Sequence, residues 1–247
     1  RWPAGISSSN SYWRFSGTDV VSNVPAQRWV VSKEHPAASH YMATVHNAQL
    51  FDGPRFSVSP AEAGAMDPQQ RLLLESGYET FRSGGLSRRD VQVSDTGIFL
   101  GITNADYAAL LSTSASVYAA TGGTISIASG RISFALGLQG PCESIDTACS
   151  SAVAALHGAA GCIGAGDCDA ALTTAVTLYL APHVSVSYAR AGMLSADGRC
   201  KTFDASANGY VRGEGIGGLL VVRERKLDAR TAIAIVLSSN ALRQDGM

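Results

Sequence analysis

The chain has 247 residues, 46% of them apolar and 16% charged, with a formal net charge of −1. That is the balance of a core-forming globular protein of one or two domains and excludes a disordered chain. Near-neutral charge gives no electrostatic case for nucleic acid or an anionic membrane, and no apolar run reaches the length of a membrane span.

The opening, Arg1-Trp2-Pro3-Ala4-Gly5, is not a signal peptide. The absence of an initiating Met and the abrupt end at Asp245-Gly246-Met247 lead us to expect an excised fragment. Residues 1 to 35 read as irregular, with one short helix around Asn10 to Phe15 before Val24-Pro25-Ala26-Gln27-Arg28-Trp29. Residues 36 to 60 hold little period and read as a loop punctuated by Phe51-Asp52-Gly53 and Ser59-Pro60.

Residues 66 to 85 give a far clearer pattern. Asp67 can cap a helix whose first position is Pro68, with Gln70 completing a capping-box arrangement. Leu74, Tyr78 and Phe81 fall on one buried face, and Gly84-Gly85 stop the helix. Thr96 to Gly101 is a short apolar run that reads as a buried strand, followed by Asp106-Tyr107. From Tyr118 a glycine-broken approach through Gly122-Gly123 leads to a helix running through Arg131 to Leu136.

The stretch from Pro141 to Gly161 concentrates the chemistry. Ser144-Ile145-Asp146 suits the end of a buried strand, and Thr147-Ala148 a tight corner. From Cys149 the sequence turns to Ala, Val and Leu on every side, the pattern of a helix buried all round. Cys149 is thus placed where a strand feeds a helix N-terminus, whose unpaired N–H groups and positive dipole end favour a thiolate nucleophile. The plain alternative is that Cys149 is a small buried hydrophobe.

Ala170 to Leu180 is β-branched and apolar and reads as a second central strand. Ala191 to Gly215 is polar, glycine-rich and too long for a plain connection, so it is expected to be functional or packed over a site. Leu219 to Val222 and Ala232 to Leu237 close the chain as two strands. Gly213, Gly215 and Gly218 spell a formal G-x-G-x-x-G. A loop precedes them and a strand follows, so they read as a tight turn into that strand and not as a dinucleotide site.

No histidine is well placed to serve Cys149. His157 lies eight residues along the same helix, about 12 Å away, too far for direct proton transfer. His183 stands beside Pro182, and His35, His40 and His46 lie in weakly patterned sequence. The five cysteines, at 142, 149, 162, 168 and 200, form no C-x-x-C pair and no metal-ligand spacing with histidine. Reduced thiols, an intracellular setting and no bound metal are the expectation.

Asp146-Thr147-Ala148-Cys149-Ser150-Ser151, with the Ala-rich helix carrying Leu156-His157, resembles the active-site signature of β-ketoacyl synthases, nearest to ketosynthase domains of type I polyketide synthases. Met66-Asp67-Pro68-Gln69-Gln70-Arg71-Leu72-Leu73-Leu74-Glu75 is a second word of that family. AGMLSADGRCKTFDASANGYVRGEG, from Ala191 to Gly215, is a third. The departures are Ala152, where the family usually has Ser, and Asn208, where Asp is commoner.

The resemblance implies an α/β, thiolase-like layered α/β/α/β/α fold made of two repeated halves around a shared buried helix. Residues 1–247 would be a partial ketosynthase domain: the first half without its opening strand, plus the start of the second. Cys149 would be the catalytic residue, taking an acyl chain as a thioester from the phosphopantetheine arm of an acyl carrier protein, with no cofactor or metal bound directly. Malonyl on a second carrier would then decarboxylate and attack that thioester, in polyketide or fatty acid biosynthesis. The family's two catalytic histidines and a lysine would lie downstream, in His-Gly-Thr-Gly and Asn-x-Gly-His words absent here, so the fragment alone is expected to be inactive. Homodimers, neighbouring domains of a multidomain synthase and a cytoplasmic or plastid location are implied as well. A non-elongating acyl-holding or dimerisation module is the alternative. A degradative thiolase is disfavoured by the first two words, and a partner subunit lacking the nucleophile is excluded by Cys149.

Overall fold

The computed structural model describes residues 1, 3, 19–111, 117–223, 234, 236 and 239. The strands are β1 (Ser22–Asn23), β2 (Tyr41–Ala43), β3 (Gly97–Gly101), β4 (Cys142–Ile145), β5 (Ala170–Thr177), β6 (Arg212–Gly213) and β7 (Gly215–Val222). The helices are α1 (Pro60–Ala65), α2 (Pro68–Ser83), α3 (Arg88–Val91), α4 (Asp106–Leu111), α5 (Ala119–Gly122), α6 (Ile125–Leu136), α7 (Ser151–Ala165) and α8 (His183–Arg190). The sequence expectation of a helix at Asn10 to Phe15 lies outside the described residues, and that of a strand at Ala232 to Leu237 lies outside them except at residues 234 and 236.

The main sheet has the order β4-β3-β5-β7. β4, β3 and β5 are parallel, and β7 runs antiparallel to β5 from Ala170↔Val222 to Thr177↔Gly215. Every residue of β3 is buried, and successive side chains alternate faces as a strand requires. Ile98, Leu100 and Leu172 join Leu72, Leu73, Leu74, Phe81, Ile132 and Leu136 in one core, which places α2 and α6 over one face. Phe99 and Ala171 join Ala155, Ala159 and Ile163, which places α7 over the other. The small side chains of α7 let its axis lie close to the sheet. This helix–sheet–helix layering is the α/β architecture the resemblance implies.

Two features of the main sheet differ from the sequence reading. β4 is half-buried to exposed, because among the described residues it is an edge strand, paired only with β3. α7 buries one face only, through Ser151, Ala155, Ala159 and Ile163, while Val153 is 70% exposed. An apolar composition all round a helix therefore did not mean burial all round. The helical stretch Ala148–Ala165 is even long and apolar enough by composition to cross a membrane. Its packing against β3 and β5 is that of a core helix.

Residues 36 to 60 are not simply a loop. β2 lies between β1, antiparallel, and β6, parallel, in a small second sheet over Val24, Trp29 and Met42. A three-residue strand whose partner is some 170 positions away leaves no local period to detect. Glu214, next to β6, locks this sheet to the main one. Its carboxylate accepts two 2.8 Å bonds from the Arg28 guanidinium, 2.8 Å from the Val45 amide and 3.0 Å from the Tyr179 amide.

α2 matches its expected span, with one change in the cap. Asp67 caps it from the N-cap position, accepting the Gln69 amide at 2.7 Å, but Gln70 does not close a capping box. Its side chain accepts Arg131 Nε at 2.7 Å and donates to Thr121 O and Thr124 O, bracing the start of α6. Gln69, also buried, donates to Asn104 O at 2.8 Å and accepts the Leu178 amide at 3.1 Å. The paired glutamines thus tie α2 to the segments that leave β3 and β5.

Candidate active site

Parallel strands β3, β4 and β5 end on the same side, where open α/β sheets place their ligands. The chain leaving β4 turns there in one tight sequence. Asp146 Oδ1 accepts the Ala148 amide at 2.9 Å, and Ala148 adopts φ +57°, in the left-handed region. For a residue with a side chain this conformation costs about 1–2 kcal/mol, so the surroundings must hold it.

The serines do so. Ser151 Oγ accepts the Thr147 amide at 2.9 Å and donates to Ala148 O at 2.7 Å. Ser150 Oγ donates at Thr147, 2.8 Å from its carbonyl oxygen and 2.9 Å from its hydroxyl. The polar residues of Asp146-Thr147-Ala148-Cys149-Ser150-Ser151 spend their hydrogen bonds on one another and leave Cys149 projecting, exposed, from the turn. The helix starts later than expected: Cys149 lies in the 3-10 turn Ala148–Ser150, and α7 begins two residues on, at Ser151.

Tyr210 shares this surrounding and was not singled out by sequence. Burial raises its phenol above the ordinary range. Arg212 opposes that, and Tyr188, Tyr179 and Cys149 add to it. The Arg212 guanidinium stacks 3.7 Å from the Tyr179 ring centre and 4.9 Å from that of Tyr188, and donates to Ser185 Oγ. Only the third family word could have pointed to Tyr210, and it did so without a position.

That long polar segment is for the most part exposed and is held by hydrogen bonds among its own side chains, rather than packed over a site. Ser195, 1% exposed, bonds Asp197 and Asn208, and Lys201 Nζ bridges the same two side chains. The Ser195 hydroxyl and Lys201 hold the Asp197 carboxyl down at about 2. Gly215 and Gly218 lie within β7 itself and pair with β5, so the G-x-G-x-x-G is the start of a strand.

Among the described residues no histidine is hydrogen-bonded to Cys149. His157 Nδ1 lies 2.8 Å from Ser239 Oγ, His183 Nε2 lies 3.8 Å from Asp106 Oδ1, His35 Nδ1 accepts the Ser32 amide at 3.4 Å, and His40 Nε2 lies 3.2 Å from His35 O. Asp106, buried, accepts the Leu180 and Ala181 amides through Oδ2, and Tyr107 donates to Gly64 O. No cluster of metal-binding type occurs among the described residues. What the turn offers is a presented thiol.

Residues 1–227 match the family described as Beta-ketoacyl synthase, N-terminal domain. The chain belongs to the β-ketoacyl synthase family. Its relatives are polyketide synthases. The spectinabilin polyketide synthase system protein NorA' of Streptomyces orinoci is 43% identical over 255 residues, covering 100% of this chain and 7% of that protein. The phenolphthiocerol synthesis polyketide synthase type I Pks15/1 of Mycobacterium bovis is 40% identical, covering 100% and 12%. Among solved structures, the ketosynthase from module 6 of the bacillaene synthase of Bacillus subtilis 168 superposes with a TM-score of 0.83 at 35% identity, covering 91% of this chain and 39% of that one. The oxazolomycin ketosynthase domain OzmH KS7 of Streptomyces albus JA3453 gives 0.83 at 29%, covering 91% and 42%. The chain therefore spans a small part of these synthases and well under half of each ketosynthase structure, and it shares part of their thiolase-like fold.

Proposed function

We propose that Cys149 is the acyl-accepting nucleophile of a polyketide synthase ketosynthase, and that residues 1–247 form part of that domain. The observation that carries this reading is the turn itself, which holds one exposed thiol at the C-terminal ends of three parallel strands. The Cys149 sulfur attacks the carbonyl carbon of an acyl thioester on an acyl carrier protein's phosphopantetheine arm. The new C–S bond forms, the old one breaks, and the carrier thiol leaves with the proton. In this reading the Cys149 backbone N–H helps hold the transient oxyanion.

Condensation follows when a malonyl thioester on the carrier loses carbon dioxide and its carbanion displaces Cys149 from the acyl group. The product is two carbons longer. The described residues supply no histidine to that step, so we expect this chain alone to load acyl groups without condensing them. Assembly as a homodimer within a multidomain synthase belongs to the same reading. An acyl-holding module that never elongates is the second reading, favoured because no histidine among the described residues is hydrogen-bonded to Cys149.

The test is mass spectrometry after incubation with an acyl-loaded carrier protein. The expected adduct sits on Cys149 and vanishes in Cys149→Ala; an adduct that survives that substitution overturns the assignment. Released carbon dioxide and β-ketoacyl product from the full-length protein support the elongating reading, and loading without either supports the holding one.

A further inference from the structure

At the far end of α7 from Cys149, two cysteines meet that have no part in the proposed chemistry. Cys162 lies in the last turn of α7, and Cys168 lies just before β5. Their sulfurs are 2.7 Å apart. The backbone arranges this. Gly166, at φ +87°, ends the helix in a left-handed turn, and the Gly166 and Asp167 amides both donate to Cys162 O at 3.1 Å. The chain is thereby folded back so that the sixth residue after Cys162 returns to it, with the Arg223 guanidinium donating to Ile163 O beside the turn.

The two thiols differ in setting. Cys168 is 1% exposed, in the core with Phe99, Ala159 and Ala171, whereas Cys162 is half-buried at its edge. Burial, and then contact with Cys162, push the Cys168 thiol up to about 12, so it keeps its proton at neutral pH. One sulfur is reachable and the other waits in contact with it. That is the arrangement of a peroxidatic and a resolving thiol.

We propose that Cys162 and Cys168 are an oxidation site, converted by peroxides into an intramolecular disulfide that pins the end of α7 to the start of β5. In the first step the Cys162 thiolate attacks a peroxide oxygen. The O–O bond breaks, Cys162 becomes a sulfenic acid, and hydroxide leaves to take up a proton as water. In the second, the Cys168 sulfur attacks the Cys162 sulfur. The S–S bond forms, the S–O bond breaks, and the Cys168 proton leaves with the hydroxyl as a second water. Two thiols are oxidised by two electrons in all, and one peroxide is reduced. The existing turn already holds the two sulfurs in contact, and ring closure shields Cys162 from further oxidation.

The experiment treats the full-length protein with hydrogen peroxide, alkylates the remaining thiols and digests with trypsin. Cys142, Cys149, Cys162 and Cys168 all fall in the tryptic peptide 132–190. We expect this peptide, from wild type and from Cys149→Ala alike, to lose about 2 Da in the disulfide step. Backbone fragments between residues 162 and 168 should be missing until dithiothreitol restores them. In Cys168→Ser, Cys162 should stop at the sulfenic acid and be captured by dimedone. Recovery of both cysteines as alkylated thiols at a peroxide dose that fully oxidises Cys149 would overturn the proposal, as would a wild-type linkage whose yield rises with protein concentration. The wild-type measurements decide the matter even if Cys168→Ser does not fold.

Discussion

Gly101, the last residue of β3, lies against the backbone of Ser151 so closely that a Cβ there would sit 2.7 Å from the Ser151 carbonyl carbon and 2.8 Å from the Ala152 nitrogen. The first turn of α7 rests directly on that strand end, and the turn carrying Cys149 is fastened to the same Ser151 through two hydrogen bonds. We expect Gly101→Ala to displace the α7 N-terminus and Cys149 with it, since backbone, unlike a side-chain tip, cannot step aside. Misplacement of a reacting group by about 1 Å can cost about 100-fold. Thioester loading of Cys149 should fall by that order, measured against a circular dichroism spectrum that remains helical. Unchanged loading would show that the turn holds its place without the strand end.

Ala155 is fully buried where α7 packs on the sheet, in contact with the Phe99 cluster. Ala155→Leu should overpack that interface and cost about 1–3 kcal/mol. Val153→Ala, on the exposed face of the same helix, should cost far less. Denaturant unfolding of the two variants checks the difference, and equal losses would mean that the other face of α7 is packed too.

Glu214 is fully buried and Arg28 nearly so, and their bidentate pair joins the small sheet to the main one. Glu214→Ala removes the acceptor for Arg28, Val45 and Tyr179 together and strands a buried cation. The expected loss is about 3–5 kcal/mol, the scale for breaking one half of a buried pair. Replacing Arg28 and Glu214 together by apolar residues should restore part of it, which thermal unfolding of the single and double variants will show.

Burial raises the Asp67 carboxyl to about 6, against the pull of the Gln69 amide, the Gln69 side chain and the Arg71 charge; Asp106 adds to the rise. In the unfolded chain Asp67 ionises near 4. The folded state therefore holds the extra proton between those values, and stability falls as pH rises from about 4 to 6, then levels. At about 1.4 kcal/mol per pH unit the contribution is up to about 3 kcal/mol. Asp67→Asn keeps an oxygen to cap α2 and removes the titration, so its stability curve should be flatter across that window. An identical slope in wild type and variant would mean that Asp67 is not the group responsible.

Several features were legible in the sequence because their causes are local. Asp67-Pro68 and the Leu74–Phe81 face mark α2 by capping geometry and helical period. The unbroken run Gly97–Gly101 marks a strand buried on both faces. Cys149 stood out because small and polar residues surround it between a strand and a helix, and the family words located it without ambiguity.

The chain order alone therefore determined that a strand, a tight turn and an apolar helix follow one another, and that Cys149 lies at their junction. Only the tertiary structure decided which faces are buried. β4 sits at the edge of the described sheet and α7 lies on it by one side, because burial depends on what arrives from elsewhere in the chain and not on a residue's own hydropathy. The same holds for Tyr210 near Cys149, for Glu214 reaching Arg28 and for the meeting of Cys162 with Cys168. The first two pairs are 61 and 186 positions apart and have no sequence period at all. The third is short in sequence but depends on a left-handed turn at Gly166, which composition permits and only the folded backbone makes.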